Sequence, residues 1–219
     1  MTNRVPAHQI AYARLRDMVL FGDLAPGTAV TIEGLVGALG LGMTPVREAI
    51  RRLIAERALV MQGNRRVSVP RLDLRGLQDL GYARRKIETE LARQALRTCD
   101  DALISAMRVI DGRLDAAITA GEIPTYLREN HGFHFTLYAR AGSEVLEGVA
   151  SALWLRFGPS LRVVCLGRRG RGGVGADHHR QMLAALDAGQ EAALVAALCD
   201  DIAQGVANIR AGLAEGLYA

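Results

Sequence analysis

At 219 residues, half of them hydrophobic, the chain is long enough for one to two domains with a sizeable core. Three widely spaced cysteines (Cys99, Cys165 and Cys199) lack a CxxC pattern, which argues against a disulfide framework or zinc ribbon. The net charge of +4 is uneven: residues 1–72 carry 10 arginines against 5 acidic residues (+5), and the remainder carries 17 basic and 18 acidic residues (−1).

The first predicted element is a helix from Ala7 to Phe21, with Ile10, Leu15, Met18 and Val19 at helical spacing. GDLAPGTAV (22–30) follows as a turn, because two glycines and a proline break the pattern. A short helix, Ile32 to Leu39, turns Ile32, Leu35, Val36 and Leu39 inward, and Gly40 to Gly42 form a tight turn into a third helix. In that third helix Val46, Ala49, Ile50, Leu53 and Ile54 make one buried stripe. Thr44, Arg47 and Arg51 share another face, with Thr44 as N-cap and Pro45 in the first turn. A β-hairpin is predicted next, with strands 59–61 and 67–69 and the turn at Gly63 and Asn64, leaving Arg65 and Arg66 at its tip.

Three helices and a small hairpin make a winged helix-turn-helix over residues 1–70. Its surplus of arginine suits phosphate neutralisation, and the third helix suits a major groove. A linker at Ser68 to Asp73, broken by Pro70, leads into residues 74–219, where helices alone are expected. They run 74–98, 100–119, 125–141 and 144–164 (broken near Gly158-Pro159), then 177–187 and 190–213. The fold class is therefore mainly α: a winged helix followed by an all-α bundle. The segment GRRGRGGVG (167–175) is expected to be an exposed basic loop.

In the bundle, Asn130 and His134 lie four apart on one helix face. His179 and Asp201 stand about equally far from the turn between the last two helices, so antiparallel packing brings them together. Four N/O groups from three helices can hold a divalent ion such as Zn²⁺, Ni²⁺ or Mn²⁺. His179, rather than His178, fits the apolar register of Met182, Leu183 and Leu186, and His131 points some 100° away from Asn130, to an exposed or structural place.

The run Pro26-Gly27, then TPVREAIRRL (44–53), then a basic hairpin, resembles the GntR-type winged-helix regulators over residues 8–70. That resemblance implies Arg47 on a guanine edge, Arg51 and Thr44 on phosphate or neighbouring bases, and Asn64, Arg65 and Arg66 in the adjacent groove. Gly42 and Met43 stand where the family commonly has Ser-Arg, so the usual operator half-site is not carried over. RRKIE (84–88), NHGFH (130–134), AGSEVL (141–146) and DHHRQMLAAL (177–186) resemble the FCD ligand-binding domain of the FadR-like branch over residues 74–213. Many of its members hold metal with one Asp and three His; here Asn130 falls on the Asp position and Asp201 on a His position, which moves preference toward harder ions.

By the same resemblance Arg84 binds an effector carboxylate, with Arg128 and Arg162 as further candidates. An intrahelical pair of Arg84 with Glu88 fits the sequence equally. The implied function is a homodimeric regulator that binds double-stranded operator DNA and is a repressor released by a small organic acid. The alternative is a metal-dependent hydrolase or lyase using His134, His179 and Asp201, though HExxH and GxSxG are absent from the sequence. With no apolar signal core and no run of about 18 uninterrupted apolar residues, the expected location is the cytoplasm, off the membrane.

Overall fold

The computed structural model describes residues 5–63, 65–168 and 177–217. Asn64 and most of the 167–175 loop lie outside them. α1 (Ala7–Leu20), α2 (Ile32–Leu39) and α3 (Met43–Ala55) form the helix-turn-helix unit. Thr31 caps α2 by accepting from the Gly34 N–H at 3.0 Å, and Gly40 ends it with φ 62°. α3 starts two residues earlier than the sequence suggested: Gly42, not Thr44, is its N-cap, and Thr44 sits inside the first turn. Pro45 is tolerated in either register, because every N–H of the first turn lacks an intrahelical acceptor.

The wing has three strands instead of a hairpin alone. β1 (Ala29–Thr31) pairs antiparallel with β3 (Arg66–Ser68), which pairs with β2 (Val60–Gln62), giving the order β1-β3-β2. β1 fell within the predicted turn because three residues carry no measurable alternation. Both hairpin strands are offset by one residue from the expected spans, and Arg65 takes a left-handed conformation (φ 56°) beside the turn. Asp73 then starts α4 (Leu74–Leu96), accepting from the Gly76 N–H at 2.7 Å.

α5 (Asp101–Ala120), α6 (Ile123–Tyr138), α7 (Glu144–Phe157), α8 (Val163–Arg168), α9 (His178–Asp187) and α10 (Glu191–Ala214) complete the bundle. α6 begins at Ile123, so Pro124 lies within its first turn and does not precede it. The break at Gly158-Pro159 is a 3₁₀ segment, Gly158–Arg162. Two helical stretches, Glu144–Leu166 and Glu191–Ala214, are long and apolar enough to cross a membrane by length and composition, yet here both contribute to the packed core.

One apolar core binds α4, α5, α6, α9 and α10 together through Leu91, Met107, Phe133, Met182 and Leu198. A second is continuous from the winged helix (Leu15, Val19, Leu53, Val67) into the bundle (Leu127, Trp154, Phe157). Leu20 lies against Gly158, Gly22 against Leu127, and Arg16 Nη2 donates to Ser151 Oγ at 2.5 Å. The winged helix therefore packs directly on α6 and α7.

Candidate functional site

α3 offers two unlike faces. Val46, Ala49, Ile50 and Leu53 are buried against α1 and α2. Thr44, Arg47 and Arg51 are exposed on the other side, as are Arg65 and Arg66 on the wing. Among the described residues, these four arginines form no ion pair. The third arginine of the helix behaves differently. Arg52 pairs with Glu56 at 3.0 Å and lies 3.7 Å over the Tyr12 ring, while Tyr12 donates to Glu56 at 2.8 Å. Arg52 thus fastens α3 to α1, leaving Arg47 and Arg51 free to meet a ligand. Burial and the neighbouring Glu56 carboxylate raise the Tyr12 hydroxyl above its ordinary range.

In the bundle, His134, His179 and Asp201 converge, each giving one ligand atom within 4.8 Å of the others. His134 Nε2 lies 3.3 Å from Asp201 Oδ2, and His179 Nε2 lies 3.6 Å from Asp201 Oδ1. Asn130 is buried one turn before His134 on the same helix. His178 is turned away, with Nδ1 3.1 Å from Gln181 Oε1.

The hydrogen bonds behind the cluster decide where its lone pairs point. Tyr138 Oη donates to Glu88 Oε2 at 2.6 Å, so it accepts from His134 Nδ1 at 3.2 Å. Asp111 Oδ1 accepts from His179 Nδ1 at 3.0 Å. In both neutral imidazoles the proton is then on Nδ1, and the Nε2 lone pair faces the Asp201 carboxylate. His134 Nε2 is buried without a hydrogen bond of good geometry. Converging acceptors repel unless positive charge lies among them, whether protons or a cation.

Burial pushes His134 below the ordinary imidazole range. Burial also works against His179, but the Asp111 hydrogen bond and the Asp201 and Asp111 charges raise it overall. Burial opposes ionisation of Asp201 too, yet the His134 side chain 3.3 Å away, with His179 and Arg84 nearby, holds it well below the usual carboxylate range.

The donor set fits a divalent ion. Bonds of about 2.05 Å in a tetrahedron put neighbouring ligand atoms about 3.3 Å apart; the His134 and His179 Nε2 atoms approach the two Asp201 oxygens to 3.3 and 3.6 Å, and all three ligand atoms lie within 4.8 Å of one another. Asp111 and Tyr138 each orient a ligand imidazole through its outer nitrogen, the arrangement that sets tautomer and basicity at metal sites. Asp111 was not picked out from the sequence. Its signal was an acid on the apolar stripe Ile104, Met107, Leu114 of α5.

Arg84 takes the second of its two sequence-compatible roles. It is 2% exposed, bonds Glu88 in bidentate fashion at 2.6 and 3.0 Å, and lies over the Trp154 and Phe157 rings at 4.2 and 4.4 Å. Glu88 in turn accepts from Tyr138, so the pair braces His134 from behind. Arg128 covers the Phe21 ring at 4.3 Å, and Arg162 buries an Nη1 with no hydrogen-bond partner among the described residues. His131 is structural, stacked on Phe135 at 4.0 Å with its edge contacts at Phe21 and Trp154.

Residues 7–69 match the gntR family of bacterial regulatory proteins, and residues 79–204 match the FCD domain. The chain is 26% identical to the HTH-type transcriptional regulator McbR of Escherichia coli (strain K12) over 147 residues, which is 67% of this chain and 66% of that relative, just under two thirds of its length. The fold of E. coli McbR/YncC is shared with a TM-score of 0.85 at 23% identity, covering 95% of this chain and 99% of that one. A putative transcriptional regulator GntR from Rhodococcus sp. RHA1 shares it with a TM-score of 0.75 at 21% identity, over 93% and 97% of the two chains. With the FCD domain spanning 126 of 219 residues and a gntR-type winged helix ahead of it, the chain belongs to the gntR family of bacterial regulatory proteins, in the group that carries an FCD sensor.

Proposed function

We propose that this protein is a cytoplasmic, homodimeric, ligand-responsive repressor of the FadR-like branch. The observation that carries the proposal is a row of exposed, unpaired arginines on α3 and the wing in a part of the chain with a net charge of +5. Arg47 reads a base edge in the major groove. Thr44 and Arg51 meet phosphate or flanking bases, and Asn64, Arg65 and Arg66 reach the neighbouring groove. Two copies present their α3 helices to half-sites one helical turn or a multiple apart. The relatives are transcriptional regulators, and the hydrolase or lyase alternative finds no support among them.

His134, His179 and Asp201, with Asn130 beside them, would hold one divalent ion, which supplies positive charge to anchor the carboxylate of a small organic acid. Asp201 and an uncharged amide favour Mn²⁺-like ions over tightly held Zn²⁺ or Ni²⁺. Arg84, committed to Glu88, supports the site through Tyr138 instead of offering a free fork to the acid.

α6 carries His134 and also packs His131 and Arg128 on Phe21 at the end of α1. A shift of α6 on effector binding therefore moves the reading head directly, with an expected coupling of about 1–3 kcal/mol. The test is a salt titration of DNA binding by the full chain. Neutralised phosphates give log K a slope of about −0.9 per contact against log salt. A slope near zero would overturn the proposal.

A further inference from the structure

At the junction between the winged helix and the bundle lies a half-open cavity of about 250 Å³, outside the candidate site of the bundle. Three arginines line it, each from a different part of the fold: Arg57 from the turn after α3, Arg71 from the linker and Arg156 from the end of α7. Among the described residues none of the three has a carboxylate partner. The one acidic residue in the lining, Asp73, is engaged as the N-cap of α4 through the Gly76 N–H. The cavity thus holds a surplus of positive charge at the start of a 23-residue helix, whose N-terminal dipole adds to it.

Arg71 passes close to Gly27, where a Cβ would sit 2.2 Å from its Nε and where the backbone holds φ 85°. Arg57 holds φ 59°, a conformation that a residue with a Cβ adopts at a cost. Like charges gathered in this way repel one another, and an anion relieves the repulsion.

We infer that this cavity binds a small dianion, which joins the reading head, the linker and the sensor through Arg57, Arg71 and Arg156. The volume falls below the range usual for drug-sized ligands, which favours an anion of a few heavy atoms over a nucleotide. Guanidinium forks match both phosphate and carboxylate, so a phosphate group and a short dicarboxylate are the two sources to separate.

The test is calorimetric titration of the full chain, in chloride buffer with chelator present, by inorganic phosphate and separately by malonate. Chelation keeps the metal cluster out of the result. Saturable binding of one anion per chain is expected, weakened about tenfold or more in Arg71→Gln and in Arg156→Gln and unchanged in Arg97→Gln, an exposed arginine at the far end of α4. Binding of one probe alone names the source. No saturable binding of either probe below about 10 mM, or equal binding by all variants, overturns the inference.

Discussion

Asp111→Asn tests the sensor through a residue that is not one of the proposed ligands. Asp111 is 7% exposed and accepts from His179 Nδ1 at 3.0 Å, which keeps the Nε2 lone pair turned toward Asp201. The amide has nearly the same volume, so packing should survive. It removes the charge that makes the imidazole a better donor to metal. It can also turn its NH₂ toward Nδ1, which would move the ring proton to Nε2 and block the ligand lone pair. Losses of this kind weaken metal binding about 10- to 100-fold, or about 1.4–2.7 kcal/mol. The assay is competition for Mn²⁺ and Zn²⁺ against a chromophoric chelator. Asp115→Asn, one turn along α5 and paired only with Arg180 at the surface, serves as the control and should bind as the parent does. Equal metal affinity in Asp111→Asn and the parent would refute the assignment of His179 as an oriented ligand.

Three further outcomes follow from the packing. Arg84→Met leaves Glu88 buried without its cation, so urea unfolding should show a loss of about 3–5 kcal/mol, largely recovered in Arg84→Met/Glu88→Leu; a loss under about 1 kcal/mol would mean that Arg84 is free to serve an effector instead. Arg57→Gly relieves the left-handed backbone and should add about 1 kcal/mol, raising Tm by about 2–4 °C; a lower Tm would show that the guanidinium contributes more than the strain costs.

The third outcome concerns pH. Burial, with Arg16, His134 and Arg84 nearby, pushes His131 down to about 3 from its ordinary 6.5. Between those values the unfolded chain binds the extra proton, so His131 makes stability fall as pH falls from about 6.5 toward 3. His131→Phe keeps the aromatic stack and should flatten that part of the pH profile, as measured by denaturant unfolding at pH 7.5 and 5. An unchanged slope would sink the assignment.

Most helices were legible because their apolar residues recur at 3.6 spacing over ten or more positions and their ends carry Gly, Asp or Ser. The break at Gly158-Pro159 was visible for the same reason. β1 was not, since three residues paired only through tertiary contact leave no periodic trace. The start of α3 was displaced by two residues because Thr44 and Gly42 both make acceptable N-caps and Pro45 fits either register. At the sensor, spacing and resemblance together suggested His134, His179 and Asp201, while Asp111 and Tyr138 depended on cross-helix packing. Arg84 could not be settled in advance, because an i,i+4 carboxylate and a ligand compete for the same fork; burial decided for Glu88. For His131 the sequence left an exposed and a structural place open, and the docked Phe21 of α1 makes it structural.

The most direct measurement selects DNA from a random duplex pool with the full chain and, in parallel, with Arg47→Ala. Arg47 is exposed on α3, outside the buried face of Val46, Ala49, Ile50 and Leu53. The parent should enrich a pseudo-palindromic site, and the variant should lose about 1–3 kcal/mol of discrimination at one base pair in each half-site. Enrichment of the same site to the same degree by both proteins would contradict the account of α3 as the element that reads DNA.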